Sequence, residues 1–426
     1  MNLRKAGETP TGRGRLPALP GHTSTSRLGR GGCVAALTAA LAFLAGCGGG
    51  SSTSTVTPPS SSTVNNTQAI QVNLGPANNY TNGLFTDVTI CVPGTTTCQD
   101  IPGVLVDTGS FGLRLLSSVV TVTLPQTTDS SGNVLQECLA FADGSYIWGP
   151  VATADIQLAG EKASAVPIQP INGSAVPASC ASNGGPDEYT VASLGANGIL
   201  GIGPFQQDCG IGCTAASSSV PLQYYVCPSS GCVTATVSLS SQLQNPVWMF
   251  PQDNNGFMIS LPSVPANGAP TVSGSMYFGI GTQSDNGLGS AKLYTTDSNG
   301  NVATTFNGTT YSGSYFDTGS NALYFLDAAT LGVPDCSDNP GFYCPAAAMN
   351  YTATNTGVNG AAAQVSFSVA NADTLLMTSN AAFNDLAGGN PGSFFWGLPF
   401  FIGRKVFVGI EGQSSPTGVV GPYWAF

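Results

Sequence analysis

The apolar positions of this chain come in short runs. Most are four to eight residues of Val, Ile, Thr, Tyr and Phe, broken by Gly, Asn and Pro. Such runs predict strands. Residues 85–92, 103–106, 152–158, 256–261 and 275–278 are the clearest of them. Helical periodicity is scarce, with short helices expected near 375–386 and after each of two Asp motifs described below. An all-β fold is therefore expected. Upstream the pattern is different. Residues 34–46 form an uncharged apolar run of 13, VAALTAALAFLAG. A spanning helix needs about 20 apolar residues, so this run reads as part of a secretory signal. Residues 48–67, GGGSSTSTVTPPSSSTVNNT, cannot form a core and read as a flexible tether. The folded unit should run from about Gln68 to Phe426, long enough for two lobes.

Charge narrows the function. Only 8% of residues are charged, and the net charge is −11. Six of the eleven basic residues fall in the first 30, which leaves five against 21 acidic ones after Cys47, a net −16 there. A surface that acidic repels phosphate backbones, so nucleic acid is not an expected partner. The single histidine, His22, precedes the folded unit. A Ser-His-Asp triad, a Cys-His pair and a histidine zinc site are thereby excluded from it. Acid–base chemistry there must run mainly on carboxylates, with neither metal nor cofactor expected.

Ten cysteines follow Cys47, an even number that in an exported chain predicts five disulfides. Cys91/Cys98 and Cys336/Cys344 bracket turns and read as local staples. Cys209, Cys213, Cys227 and Cys232 could pair locally or nest. The sequence Leu44-Ala45-Gly46-Cys47 resembles a bacterial lipobox. An ordinary signal peptide with an incidental cysteine is the alternative. The resemblance implies a lipid on Cys47, and Gly48 after it implies delivery to the outer membrane. The basic stretch before the apolar run is long, and a start codon downstream of Met1 is one reading of it.

One pattern occurs twice. Val104-Leu105-Val106-Asp107-Thr108-Gly109-Ser110 and Ser314-Tyr315-Phe316-Asp317-Thr318-Gly319-Ser320 each end an apolar run in Asp-Thr-Gly-Ser. One copy alone would read as a turn. Two copies at matching points, 210 residues apart, read as a repeated device.

At these residues the chain resembles the pepsin-like aspartic proteases. Phe141-Ala142-Asp143-Gly144-Ser145, with Tyr146 following, looks like the family's flap hairpin. Asn197 to Gly203 and Phe395 to Phe401 look like the apolar segments that pack behind the two motifs, and Gly274 to Gly279 like the strand leading into the second lobe. The chain also resembles an uncharacterised group of proteobacterial lipoproteins.

The resemblance implies a bilobed double β-barrel with an active-site cleft between lobes. It divides the chain into a signal peptide at 1–46, a lipidated tether at 47–67, an N-terminal lobe at 68–255 and a C-terminal lobe at 256–426. It implies a monomeric, membrane-anchored endopeptidase acting on polypeptide. Asp107 and Asp317 would be the catalytic pair, with Thr108, Gly109, Ser110, Thr318, Gly319 and Ser320 supporting them. Phe141, Asp143, Gly144, Ser145, Tyr146 and Arg114 would border the substrate.

Two departures stand out. Phe141 occupies the place of the family's flap tyrosine and offers no hydroxyl, which Tyr146 could supply instead. Arg114 replaces a tryptophan. It is expected either to pair with Asp143 or Glu137 or to select acidic groups on a ligand. No basic pro-segment separates Cys47 from the first strand, so activity without acid-triggered release is expected. The competing readings are a catalytically silent binding module on the same fold and a structural surface lipoprotein.

Overall fold

The computed structural model describes residues 64–181, 184–215 and 223–426. The signal segment, Cys47 and the tether up to residue 63 lie outside the described residues. Among the described residues no helix is long and apolar enough to cross a membrane.

The first lobe is a closed barrel of six strands. In sheet order they are Gly83–Cys91, Cys98–Asp107, Gly198–Ile202, Phe111–Leu116, Glu161–Ile171 and Ala152–Leu158. The ends meet because Thr89–Cys91 pairs with Asp155–Gln157. Val104, Leu105 and Val106 are fully buried, since their strand is flanked on both edges inside the barrel. A continuous apolar run, rather than alternation, is what such a position demands.

Six more strands carry the same sheet into the second half. Thr67–Asn73 pairs with Gly83–Cys91 on one edge and Val272–Phe278 on the other. Gly256–Ser260, Lys405–Gly409, Tyr423–Ala425 and Leu293–Thr295 complete it. The second lobe adds a seven-stranded, nearly closed sheet in the order Ala362–Val369, Met349–Thr356, Val302–Phe306, Thr309–Phe316, Asn390–Trp396, Leu323–Leu326 and Ala387–Gly388. Its core is aromatic: Phe325 stacks on Phe394 at 4.7 Å, and Phe367 meets Trp396 edge-on at 5.4 Å. Offset and edge-to-face rings stabilise such a core beyond the area they bury. The all-β, bilobed expectation therefore holds.

The helix expectations need correction. Between 375 and 386 the helix is limited to Ala372–Leu376, capped by Asn371, whose side chain accepts from Thr374 N at 3.0 Å. Past it, Ala381 and Ala382 both donate backbone bonds to Ala269 O, which holds the chain extended. Among the described residues no helix directly follows the first Asp motif, and after the second a four-residue helix, Ala328–Leu331, comes only once a strand has intervened. The strands Phe111–Leu116 and Leu323–Leu326 follow the motifs instead, because each finds a waiting strand edge.

All five expected disulfides form: Cys91–Cys98, Cys138–Cys180, Cys209–Cys213, Cys227–Cys232 and Cys336–Cys344. The four cysteines left open by sequence pair locally rather than nesting.

Candidate active site

The two Asp motifs sit in the same local structure. Cys98–Asp107 runs parallel to Gly198–Ile202, with Asp107 opposite Gly201. Thr309–Phe316 runs parallel to Asn390–Trp396, with Phe316 opposite Trp396, and Asp317 N donates to Trp396 O at 2.9 Å. The chain after each motif returns antiparallel along that same partner strand. Each Asp therefore leaves the end of a buried strand on a turn fixed from both sides.

The turns lock to each other. Thr108 N donates to Thr318 Oγ1 at 3.1 Å, and Thr318 N donates to Thr108 Oγ1 at 3.0 Å. Thr108 Oγ1 donates across to Phe316 O at 3.0 Å, and Thr318 Oγ1 to Val106 O at 2.7 Å. Both threonines are fully buried, so every one of these bonds replaces lost hydration.

Each carboxylate is held by its own turn. Asp107 Oδ1 accepts from Gly109 N at 2.8 Å, and Oδ2 from Ser110 Oγ at 2.6 Å. Asp317 repeats this with Gly319 N at 2.8 Å and Ser320 Oγ at 2.5 Å. Asp317 packs against the first turn at Gly109, and the charge of Asp107 acts on it. A Cβ at Gly109 would lie 2.7 Å from Asp317 Oδ1, so only glycine lets the two turns approach this closely. Burial first, then the charge of Asp107, pushes the Asp317 pKa well above the carboxylate range, partly offset by donation from Ser320. Two adjacent buried carboxyls cannot both ionise cheaply and share a proton.

Residues beside the Asp-Thr-Gly-Ser turns complete the interface between them. Tyr80 Oη donates to Gly319 O at 2.9 Å, and Tyr315 Oη to Thr108 O at 3.1 Å. Asn82 Nδ2 donates to Asn321 O and Phe383 O, while its Oδ1 accepts from Phe383 N at 2.7 Å. Sequence reading missed Tyr80 and Asn82 because the stretch NNYTNG carries only turn signals. Nothing in it points to partners 239 and 301 residues away.

The flap-like hairpin joins Leu135–Ala140 to Tyr146–Pro150. Phe141 N donates to Ser145 O at 2.8 Å, and Gly144 takes φ +86° at the turn. Phe141 itself turns inward and is 5% exposed, packed with Tyr80, Phe85, Leu139 and Ile147. Asp143 lies exposed at the tip and accepts from Ser145 N and Oγ. Tyr146 meets Tyr189 edge-on at 6.0 Å, within the segment that backs the hairpin. Burial, then the nearby Tyr80, Asp143 and Asp317, raise the Tyr324 pKa, and Tyr324 Oη donates to Asn321 Oδ1 at 2.7 Å.

Arg114 is fully buried beneath this hairpin. It bonds Glu137 at 2.6 Å and Asp208 at 3.4 Å, and donates to Phe111 O at 2.7 Å. Of the two partners weighed from sequence, Glu137 is the one in contact. A guanidinium enclosed by two carboxylates is not offered to a ligand, which corrects the idea that Arg114 selects acidic groups. Asp208, missed from sequence, also accepts from Tyr224 Oη at 2.8 Å.

This architecture is that of the pepsin-like aspartic proteinases. The crystal structure of an aspartic proteinase from Irpex lacteus superposes with a TM-score of 0.51 at 14% identity, covering 84% of this chain and 96% of that one. The chain belongs to the family described as "Protein of unknown function (DUF3443)", which matches residues 62–426. No curated protein matches it.

Proposed function

We propose that this chain is an aspartic endopeptidase held at a bacterial envelope by a lipid on Cys47. The observation that carries the catalytic reading is that interlocked turns bring Asp107 and Asp317 together, each carboxyl braced by its own Gly and Ser. Such a pair carries one proton between two carboxyls. With the single shared proton placed on Asp317, Asp107 is the base. Asp107 takes a proton from water as the oxygen attacks the peptide carbon, and Asp317 gives its proton to the carbonyl oxygen. The tetrahedral adduct then collapses. The C–N bond breaks, the nitrogen leaves with a proton from Asp107, and Asp317 recovers one from the adduct hydroxyl. No metal enters this scheme.

The test is hydrolysis of a denatured protein mixture across pH 2–8 (an assay range chosen to bracket carboxyl titration). Activity should follow an acidic bell, because the pair works only with one proton aboard. Asp107→Asn and Asp317→Asn should each lower turnover by about a thousandfold or more, and together by little beyond that, since the two act as one unit. One observation favours a silent binding module: Phe141 has no hydroxyl and packs into the core. That reading requires the wild type to be inert at every pH. For the anchor, Cys47→Ala should move the protein out of the membrane fraction; unchanged fractionation and mass would sink the lipid assignment.

A further inference from the structure

The basic residues after Cys47 are few, and their partners differ. Arg114 is neutralised by Glu137 and Asp208, and Lys162 by Asp155 at 2.8 Å. Arg404 has no Asp or Glu within ion-pair reach among the described residues. Its side chain is nevertheless held in place. Nη1 donates to Phe400 O at 2.6 Å, Nη2 donates to Ser366 O at 3.3 Å, and the guanidinium carbon sits 4.7 Å from the centre of the Phe400 ring. These contacts orient the group, but carbonyls and a ring face do not cancel a full charge. Its surroundings also desolvate it, which lowers its pKa. A partly desolvated cation without a counter-ion is unfavourable, and an anion at its free N–H groups would relieve it.

Arg404 borders an open cavity of about 630 Å³, a size that suits a small organic ligand. It lies by the strands Met349–Thr356 and Ala362–Val369 and the helix Leu398–Phe401, and none of the Asp-Thr-Gly-Ser residues lines it. Tyr351 and Phe367 supply aromatic wall. Asn350, Thr352, Ser368 and Asn384 also line it, and their side chains make no hydrogen bond to other described residues.

We propose that this cavity binds a small polar ligand by its carboxylate, paired with the Arg404 N–H groups not used by Phe400 and Ser366. The hydroxyls and amides around it would take the ligand's polar body. A single guanidinium matches one negative charge. In a chain carrying −16 after Cys47, a doubly charged phosphate would meet stronger repulsion. A peptide C-terminus and an acidic sugar share the required chemistry. The assignment is independent of the protease reading.

Calorimetry on the full chain carrying Asp107→Asn, which cannot consume a peptide, tests it. The probes are acetyl-dialanine and glucuronate, their neutral counterparts acetyl-dialanine amide and methyl glucoside, and inorganic phosphate. At least one carboxylate should bind with a Kd of about 1 mM or tighter, and about tenfold or more tighter than its neutral counterpart. Which one binds identifies the source. Arg404→Gln should abolish that preference and Arg404→Lys should weaken it. Should Arg404→Gln misfold, phenylglyoxal labelling of the otherwise unaltered chain decides instead, because the bound probe should shield Arg404 in peptide mass maps. The proposal is overturned if neither carboxylate outbinds its neutral counterpart, if Arg404 stays fully reactive under saturating probe, or if phosphate outcompetes both carboxylates.

Discussion

At the scale of residues, the two threonines lock the two turns to each other. Thr318 Oγ1 both accepts from Thr108 N and donates to Val106 O. Thr318→Val keeps the volume and removes both bonds, taking from the buried Thr108 N–H its acceptor and from Val106 O this donor. The expected loss is about 2–4 kcal/mol, the sum of an unsatisfied donor and a net hydrogen bond. Thr318→Ser keeps the hydroxyl and should lose about 1 kcal/mol or less. Urea unfolding of the two variants provides the comparison. If Val is no worse than Ser, the interlock contributes nothing to stability.

At the scale of elements, the flap-like hairpin is anchored at several points. Tyr224–Val226 pairs with its first strand and Val233–Thr234 pairs beyond, so the hairpin belongs to a four-stranded sheet. Cys138–Cys180 ties that first strand to the segment behind it. Beneath it Arg114 joins Phe111–Leu116, the strand that leaves the first Asp motif, to Glu137 on the hairpin. Arg114→Met would strand two buried carboxylates and should cost about 3–5 kcal/mol. Adding Glu137→Leu should recover much of that loss, because an apolar pair of similar volume replaces a buried ion pair. A double-mutant cycle by denaturant unfolding measures it, and additive losses would contradict the direct pairing.

At the scale of the whole molecule, buried carboxyls set the pH response. Burial and then the charge of Asp253 raise Glu161 to about 7, and burial raises Asp385 to about 6. Asp317 is raised as well. In each case the folded state holds its proton more tightly than the unfolded chain. Stability from Glu161 and Asp385 is therefore fully present below the unfolded values near pH 4 and lost as pH rises through 6–7. Asp129, Asp327 and Asp373 have opposite sign. Hydrogen bonds from Asn133, Thr330 and Asn339 respectively lower them, so their contribution fades only below the usual carboxylate range. Thermal unfolding should show maximal stability near pH 4–5, with Glu161→Gln flattening the decline towards neutrality. A Tm that rises from pH 5 to 7 would contradict this account.

The class of the fold and the two carboxyl-bearing turns are legible along the chain, because they rest on neighbouring residues. Short β-branched runs can only be satisfied as strands, and an Asp-Thr-Gly-Ser turn is a local structure made by neighbouring residues. The same holds for the staples Cys91–Cys98 and Cys336–Cys344, whose partners are close along the chain. What depends on distant partners emerges only on folding. Folding turned Phe141 into the core, enclosed Arg114 between Glu137 and Asp208, and brought Tyr80 and Asn82 against the second motif. It also put a strand directly after each motif, leaving only the short helix Ala328–Leu331 beyond the second, because a free strand edge nearby outweighs weak helical propensity. Burial and pairing across 200 residues or more are properties of the folded surface, and no local pattern encodes them.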